Sequence, residues 1–268
     1  MNRTTWHLVP ALLLSLFMYS PPASAQEGKA AAPEIEEKAL TVVKRMTTVL
    51  SQAKQFSFTA DVGFDVVQDS GQKIEFGETR KFAVRRPDHA RVDVTKRDGS
   101  ISGFVFDGKQ IAVFNVQDKV YATAAKPGTL DEAIAYFIND LDMRLPLAEM
   151  LSSSLPQVLQ ERVHAADYIE QATIAGVPCD HLALRGDRAD LQLWIAQGDQ
   201  PLPQRLVITY TRAEGQPQFW AQFSGWNLSP TFSDALFAFT PPEGAAKIAF
   251  APRKQSETGE TEAKGGQQ

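Results

Sequence analysis

The chain has 268 residues, with 27 Lys and Arg against 32 Asp and Glu, for a formal charge of −5. That mildly acidic balance, with no basic stripe, argues against nucleic acid as a partner. A single cysteine, Cys179, excludes an internal disulfide, so stability has to come from an ordinary apolar core, which a chain of this length can bury.

The first residues read as an address. Arg3 gives a positive start, Leu8 to Tyr19 an apolar run, and Ala23-Ser24-Ala25 a small-x-small cleavage pattern. The expected leader is therefore 1–25, with the mature chain starting at Gln26 and exported. The run is too short to span a bilayer, and Pro10 interrupts it. No cysteine lies near the cleavage site, so a lipid anchor of the bacterial lipoprotein kind is not expected. Residues 26–33 read as a small-residue linker.

Glu34 to Lys54 reads as a helix. Ile35, Ala39, Val42, Val43, Met46, Val49 and Leu50 share one face, and Glu34, Glu36 and Glu37 suit the positive end of the helix dipole. Strands follow. Phe56, Phe58, Ala60, Val62, Phe64 and Val66 alternate with polar or small residues, a period of two with one face buried. After the turn at Asp69-Ser70-Gly71, a returning strand carries Ile74, Phe76, Phe82 and Val84, with Arg80 among them. Asp98-Gly99 and Asp107-Gly108 mark further hairpins, and a short strand is expected near Val120 to Thr123.

Thr129 to Val163 interrupts the strands with helix. Thr129-Leu130-Asp131-Glu132 has the form of a capping box. Leu130, Ala133, Ile134, Phe137, Ile138 and Leu141 make one apolar stripe, and Pro146 is expected to end the helix. Leu147, Met150, Leu151 and Leu155 continue in a shorter piece, and Pro156 opens a third with Val158, Leu159 and Val163. At about 1.5–3 kcal/mol for each fully buried side chain, the stripe is worth on the order of 10 kcal/mol. That is comparable with a whole domain's stability of about 5–15 kcal/mol, so the stripe has to be covered. Strands resume at Tyr168 to Ile174, Val177 to Leu184, Leu191 to Ile195, Leu206 to Tyr210 and Phe219 to Phe223. The total is about eleven strands in neighbouring hairpins, which predicts one antiparallel meander. The tail 253–268 is polar and charged, and is expected to be disordered.

Three stretches resemble the LolA/LolB-like superfamily of periplasmic lipoprotein carriers: Phe82-Ala83-Val84-Arg85-Arg86-Pro87, then Asp107-Gly108-Lys109 with Phe114-Asn115, then Phe237 to Gly244. Their order and spacing match over roughly Glu34 to Phe250. Leu202 to Leu206 and Trp194-Ile195 look more like an uncharacterised periplasmic branch. The resemblance implies an α+β fold: an open half-barrel of antiparallel strands around a helical plug, with one lipid-binding domain over 34–252. It implies a soluble periplasmic carrier or chaperone for a lipid, acyl chain or lipoprotein, with only peripheral contact with membrane. It also implies that Arg86 latches the helical lid, as a donor fork aimed at helix carbonyls would.

The expected cavity lining is Phe56, Phe58, Phe64, Phe76, Phe82, Ile134, Phe137, Ile138, Leu141, Phe219 and Phe223. The alternative reading of the same residues is a filled core, and the sequence leaves both open. Trp194, Trp220 and Trp226 are candidate rim residues. Cys179 and His181 share a strand face and could offer a thiolate–imidazole pair or half a metal site, but a small buried thiol beside a strand histidine is the better-supported reading. No hydrolase elbow, zinc helix, phosphate loop or dinucleotide fingerprint is present. A non-enzyme is therefore expected, with no cofactor and no metal. A second function class is an envelope sensor or interaction module that docks a protein on the same fold. A third, an enzyme using Cys179 and His181, has the least support.

Overall fold

The computed structural model describes residues 35–141 and 145–250. The expected leader 1–25, linker 26–33 and tail 253–268 lie outside the described residues, as does Asp142.

The first helix, α1, runs Glu37–Gln52 and buries Ala39, Val42, Val43, Met46 and Leu50, the face expected from their spacing. Its entry is tied down by the neighbouring chain. The Glu36 N–H donates to the Ala166 carbonyl at 2.8 Å, and the Glu36 carboxylate accepts from the Tyr168 N–H at 2.8 Å.

Six strands follow: β1 Gln55–Val67, β2 Lys73–Arg85, β3 His89–Lys96, β4 Ile101–Phe106, β5 Gln110–Asn115 and β6 Val120–Ala125. Each pairs antiparallel with the next. The helical insert comes next, with α2 at Leu130–Ala135, a wide π-turn at Tyr136–Asp140, α3 at Ala148–Leu151 and α4 at Leu155–Arg162. Five further strands make a second antiparallel run: β7 Val163–Ile174, β8 Val177–Gly186, β9 Asp190–Ala196, β10 Pro203–Thr209 and β11 Gln218–Asn227. A 3₁₀ turn at Asp234–Phe237 leads to a last strand, β12, at Ala246–Ile248.

The twelve strands form one open sheet in the order β12-β6-β5-β4-β3-β2-β1-β11-β10-β9-β8-β7. This is the expected open half-barrel with a helical plug, corrected in three respects. First, it is two meanders joined by the β1–β11 pair, rather than one run of neighbouring hairpins. Hairpin signals specify partners close in sequence and say nothing of which strands join the two runs. Second, β12 adds a twelfth strand, parallel to β6. Its three residues are all exposed, so no burial alternation betrays it. Third, the plug helix does not run to Pro146. It is α-helical for six residues, and a π-turn then closes with the Leu141 N–H donating to the Tyr136 carbonyl at 3.2 Å. Asn139 and Asp140, poor helix formers, fall in that widened turn.

The strand order gives the insert its place. β6 lies next to one edge of the sheet and β7 is the other edge. The chain between Lys126 and Arg162 therefore has to cross the sheet. In doing so it lays Leu130, Ala133, Ile134, Phe137, Leu141, Leu147, Leu151 and Leu155 into the same apolar core as Phe56, Phe58 and Phe82. Among the described residues, no helix is long and apolar enough to cross a membrane.

Candidate functional site: the inner face of the sheet and its plug

Strand alternation decides which side chains meet on the inner face. Register pairs Phe56 with Val84, Phe58 with Phe82, and Phe64 with Phe76 across β1 and β2. On the other side, β1 sets Ala60 against Phe223, Val62 against Ala221, and Phe64 against Phe219. All the strand aromatics expected in the lining thus share one face. Phe58 is their centre. Its ring stacks 4.4 Å from Phe82 and 4.2 Å from Trp226, and Phe223 meets it edge-on at 5.8 Å. From the plug, Phe137 meets Phe104 edge-on at 5.6 Å.

The inner face has a covered and an uncovered part. Phe56, Phe58, Phe82, Phe219 and Phe223 are buried, as are Ile134, Phe137 and Leu141 from the plug. Ile138 and Phe64 are partly buried against this core. Phe76 departs from expectation, since half of its surface is in water. It stacks on Phe64 at 6.2 Å but sits toward the turn of the long β1–β2 hairpin, with exposed Ile74 and Val66 on the same face. Two grooves of about 520 and 330 Å³ lie elsewhere. One is lined by Thr41, Lys44, Arg45, Thr48, Val49, Asp199 and Pro201, the other by Gly186, Asp187, Asp190, Thr211 and Arg212. Neither is bordered by a residue of the expected lining.

Polar contacts fasten the start of the plug and join its pieces. Thr129 and Glu132 form the expected capping box: the Glu132 carboxylate accepts from the Thr129 N–H at 2.7 Å, and the Thr129 hydroxyl accepts from the Glu132 N–H at 3.3 Å. The Thr129 N–H, and then the Thr129 hydroxyl donating to the same carboxylate at 3.0 Å, hold the Glu132 carboxyl below its ordinary pKa. The Leu130 N–H donates to the Pro87 carbonyl at 2.7 Å. Further along, Asp131 accepts from the Ser153 N–H at 3.0 Å and from its hydroxyl, joining α2 to the α3–α4 connection.

Arg86 forks onto helix carbonyls, but onto those of α1 rather than of the plug. Its Nε donates to Ala53 at 3.1 Å and its Nη2 to Leu50 at 3.3 Å. The last carbonyls of a helix lack partners within it, and the β2–β3 corner places Arg86 beside those of α1. Burial pushes its pKa down, and the Asp131 carboxylate opposes that. The plug instead meets the corner through Pro87. A second arginine reaches the plug, and nothing in the sequence distinguished it beyond its place among apolar neighbours. Arg80 Nη1 donates to the Pro146 carbonyl at 3.3 Å, and its Nε donates to Glu78 at 2.7 Å.

The remaining candidates separate. The Cys179 thiol is buried and donates to the Val177 carbonyl at 3.3 Å, and burial pushes its pKa up, the reverse of what a nucleophilic thiolate needs. His181 stacks on Trp194 at 4.1 Å. Trp194 and Trp220 flank Arg205 at 5.7 and 5.5 Å, on the face opposite the plug. Trp226 packs inward on Phe58, its indole N–H donating to the Pro203 carbonyl at 2.9 Å. Among the described residues, no cluster of His, Cys, Asp and Glu is placed to hold a metal ion.

An open, mostly antiparallel sheet wrapped on a helical insert is the architecture the motifs implied. The chain belongs to the family described as predicted periplasmic protein (DUF2092), whose model matches residues 39–251. No curated protein matches it. Several solved structures are similar. The lipoprotein LppX of Mycobacterium tuberculosis is 15% identical, with a TM-score of 0.45 over 72% of this chain and 97% of that one. A LolA-superfamily protein of Nitrosomonas europaea is 12% identical, with a TM-score of 0.39 over 75% and 97%. The Pseudomonas aeruginosa MucA/MucB complex contains a chain 17% identical, with a TM-score of 0.41 over 75% and 61%.

Proposed function

We propose that this protein is a periplasmic carrier that holds a lipid or acyl chain against the inner face of its sheet, beside and beneath the plug. The observation that carries the reading is the uncovered end of that face. Phe76, Ile74 and Val66 are exposed there and run on from the buried floor of Phe58 and Phe82. A soluble protein gains nothing by leaving such a strip in water, and contiguous exposed apolar surface marks an interaction site. The plug meets the floor through apolar side chains, with hydrogen bonds from Leu130 to Pro87 and from Arg80 to Pro146, so an acyl chain can take over the apolar contacts. Each buried CH₂ contributes about 0.8 kcal/mol, enough for a long chain to compete with the stripe. The sequence motifs support the same reading, as does membership of a family described as periplasmic. In this account the leader is removed near Ala25 and the lipid chain is cargo, not substrate.

The test is a titration of delipidated protein with a fluorescent fatty acid. Saturable binding is expected, and Phe76→Asp should weaken it about tenfold or more by removing roughly 1.4 kcal/mol or more of apolar contact. Because Phe76 is half exposed, thermal stability should change little. Absence of saturable binding to fatty acids and phospholipids alike would sink the carrier reading.

A further inference from the structure

The inner face carries one charged pair whose cost needs a reason. Arg80 stands opposite Ala60 and Val94, in line with Phe82 and Val84 on the covered side and with Phe76 and Ile74 on the uncovered side. Its side chain is 19% exposed and that of Glu78, its partner, 11%. A pair so far removed from water is seldom more stable than apolar residues of the same volume. Arg80 therefore weakens the apolar face unless it recognises something.

Its surroundings indicate what. The Nε is held by Glu78 at 2.7 Å, which fixes the plane of the guanidinium. The guanidinium carbon lies 5.6 Å from the centre of the Phe219 ring. Nη1 spans 3.3 Å to the Pro146 carbonyl, a long bond to a neutral acceptor. The next residue, Leu147, is buried and held at φ +78°, a conformation that bulky side chains rarely adopt. Such a backbone persists only where its neighbours enforce it, and the Arg80 bond is one of those enforcing contacts.

An anionic oxygen is a better acceptor for Arg80 than a peptide carbonyl, since charge-assisted bonds are roughly twice as strong. An acyl chain lying along Phe64 and Phe76 would bring its head group to this point. We propose that Arg80 receives the carboxylate or phosphate head of an acyl amphiphile, and that this contact displaces Pro146, so that head binding loosens the plug at Leu147. Glu78 already neutralises Arg80, so a bare anion gains little there and the chain is required. The inference rests on the carrier reading and adds the class of cargo and the event that releases the plug.

The experiment compares three ligands of one chain length on the delipidated protein: palmitate, hexadecyl phosphate and hexadecanol. Palmitate and hexadecyl phosphate should each bind about tenfold tighter than the alcohol, as one charge-assisted hydrogen bond allows. The double variant Glu78→Leu/Arg80→Met should bind all three alike, at the wild-type affinity for hexadecanol. Amide exchange at 147–151 should quicken with the two anionic ligands and not with the alcohol. Equal wild-type affinity for all three would overturn the role of Arg80 and leave the carrier standing, and this comparison needs no variant to fold. A head-group preference retained by the double variant would also overturn that role. Displacement of the probe by inorganic phosphate alone would make this a plain anion site and overturn the cargo assignment. Failure of all three to bind would remove the carrier reading, and this inference with it.

Discussion

Arg86 donates from its Nε to the carbonyl of Ala53 over 3.1 Å, and so ties the first residue of the β2–β3 corner to the end of α1. With the second bond to Leu50, the fork satisfies two carbonyls that the helix leaves open. Arg86→Met should cost about 2 kcal/mol by urea denaturation, from two lost bonds to a charged donor. Arg86→Lys should recover less than half of that loss, because an ammonium group cannot reach both carbonyls as a planar fork does. A neutral effect of Arg86→Met would show that water replaces the fork at no cost.

The capping box sets how firmly the plug begins. Thr129→Ala removes the acceptor for the Glu132 N–H and should cost about 1 kcal/mol, visible as faster amide exchange over 130–135. An unchanged exchange pattern there would mean that burial of Leu130 and Ala133 alone fixes the start of α2.

Glu132 adds a pH dependence with a definite sign. Its carboxyl titrates lower in the folded chain than the ordinary glutamate value of about 4.3, owing first to the Thr129 N–H and then to the Thr129 hydroxyl. The unfolded state therefore binds the proton more readily. The contribution is fully present above the ordinary value and is lost as pH falls through the lowered folded value. The protection of the amides over 130–135, measured against the intrinsic exchange rate at each pH, should fall across that acid window in the wild type. In Glu132→Gln that protection should be lower at neutral pH and flat with pH at this site. A wild-type profile identical to that of the variant would contradict the assignment.

Gly63 leaves room for a ring. A Cβ there would overlap the Trp220 indole, which is held by its hydrogen bond to Glu75 at 3.0 Å. Gly63→Ala should therefore destabilise the protein by about 1–3 kcal/mol, as overpacking does. The double variant Gly63→Ala/Trp220→Ala should cost less than the sum of the two singles, since the clash disappears with the ring. Additive costs would mean that the strand shifts and the ring does not.

The sequence carried the fold well where the signal was local. The long alternation from Phe56 to Phe64 fixed the inner face because a one-residue slip would turn every one of those side chains outward. Thr129 and Glu132 marked the start of α2 because a capping box is written in four consecutive residues. Non-local facts were out of reach. The β1–β11 pair, which turns two meanders into one sheet, joins residues whose spacing gives no sign of it. Phe76 has the same alternation as Phe82, and only the extent of the plug decides that one is wet and the other dry. Arg86 and Arg80 differ for the same reason. Arg80 falls within β2 and Arg86 just past its end, and only the packing of α1 against the corner, and of the turn at Pro146 against the sheet, tells which carbonyls each arginine meets.

Native mass spectrometry of the protein purified from its own periplasm tests the central claim most directly. The account predicts a stoichiometric adduct with the mass of an acyl-chain lipid, lost on delipidation and diminished in Phe76→Asp. A single unliganded mass, unchanged after the delipidated protein is offered fatty acids and phospholipids, would contradict it.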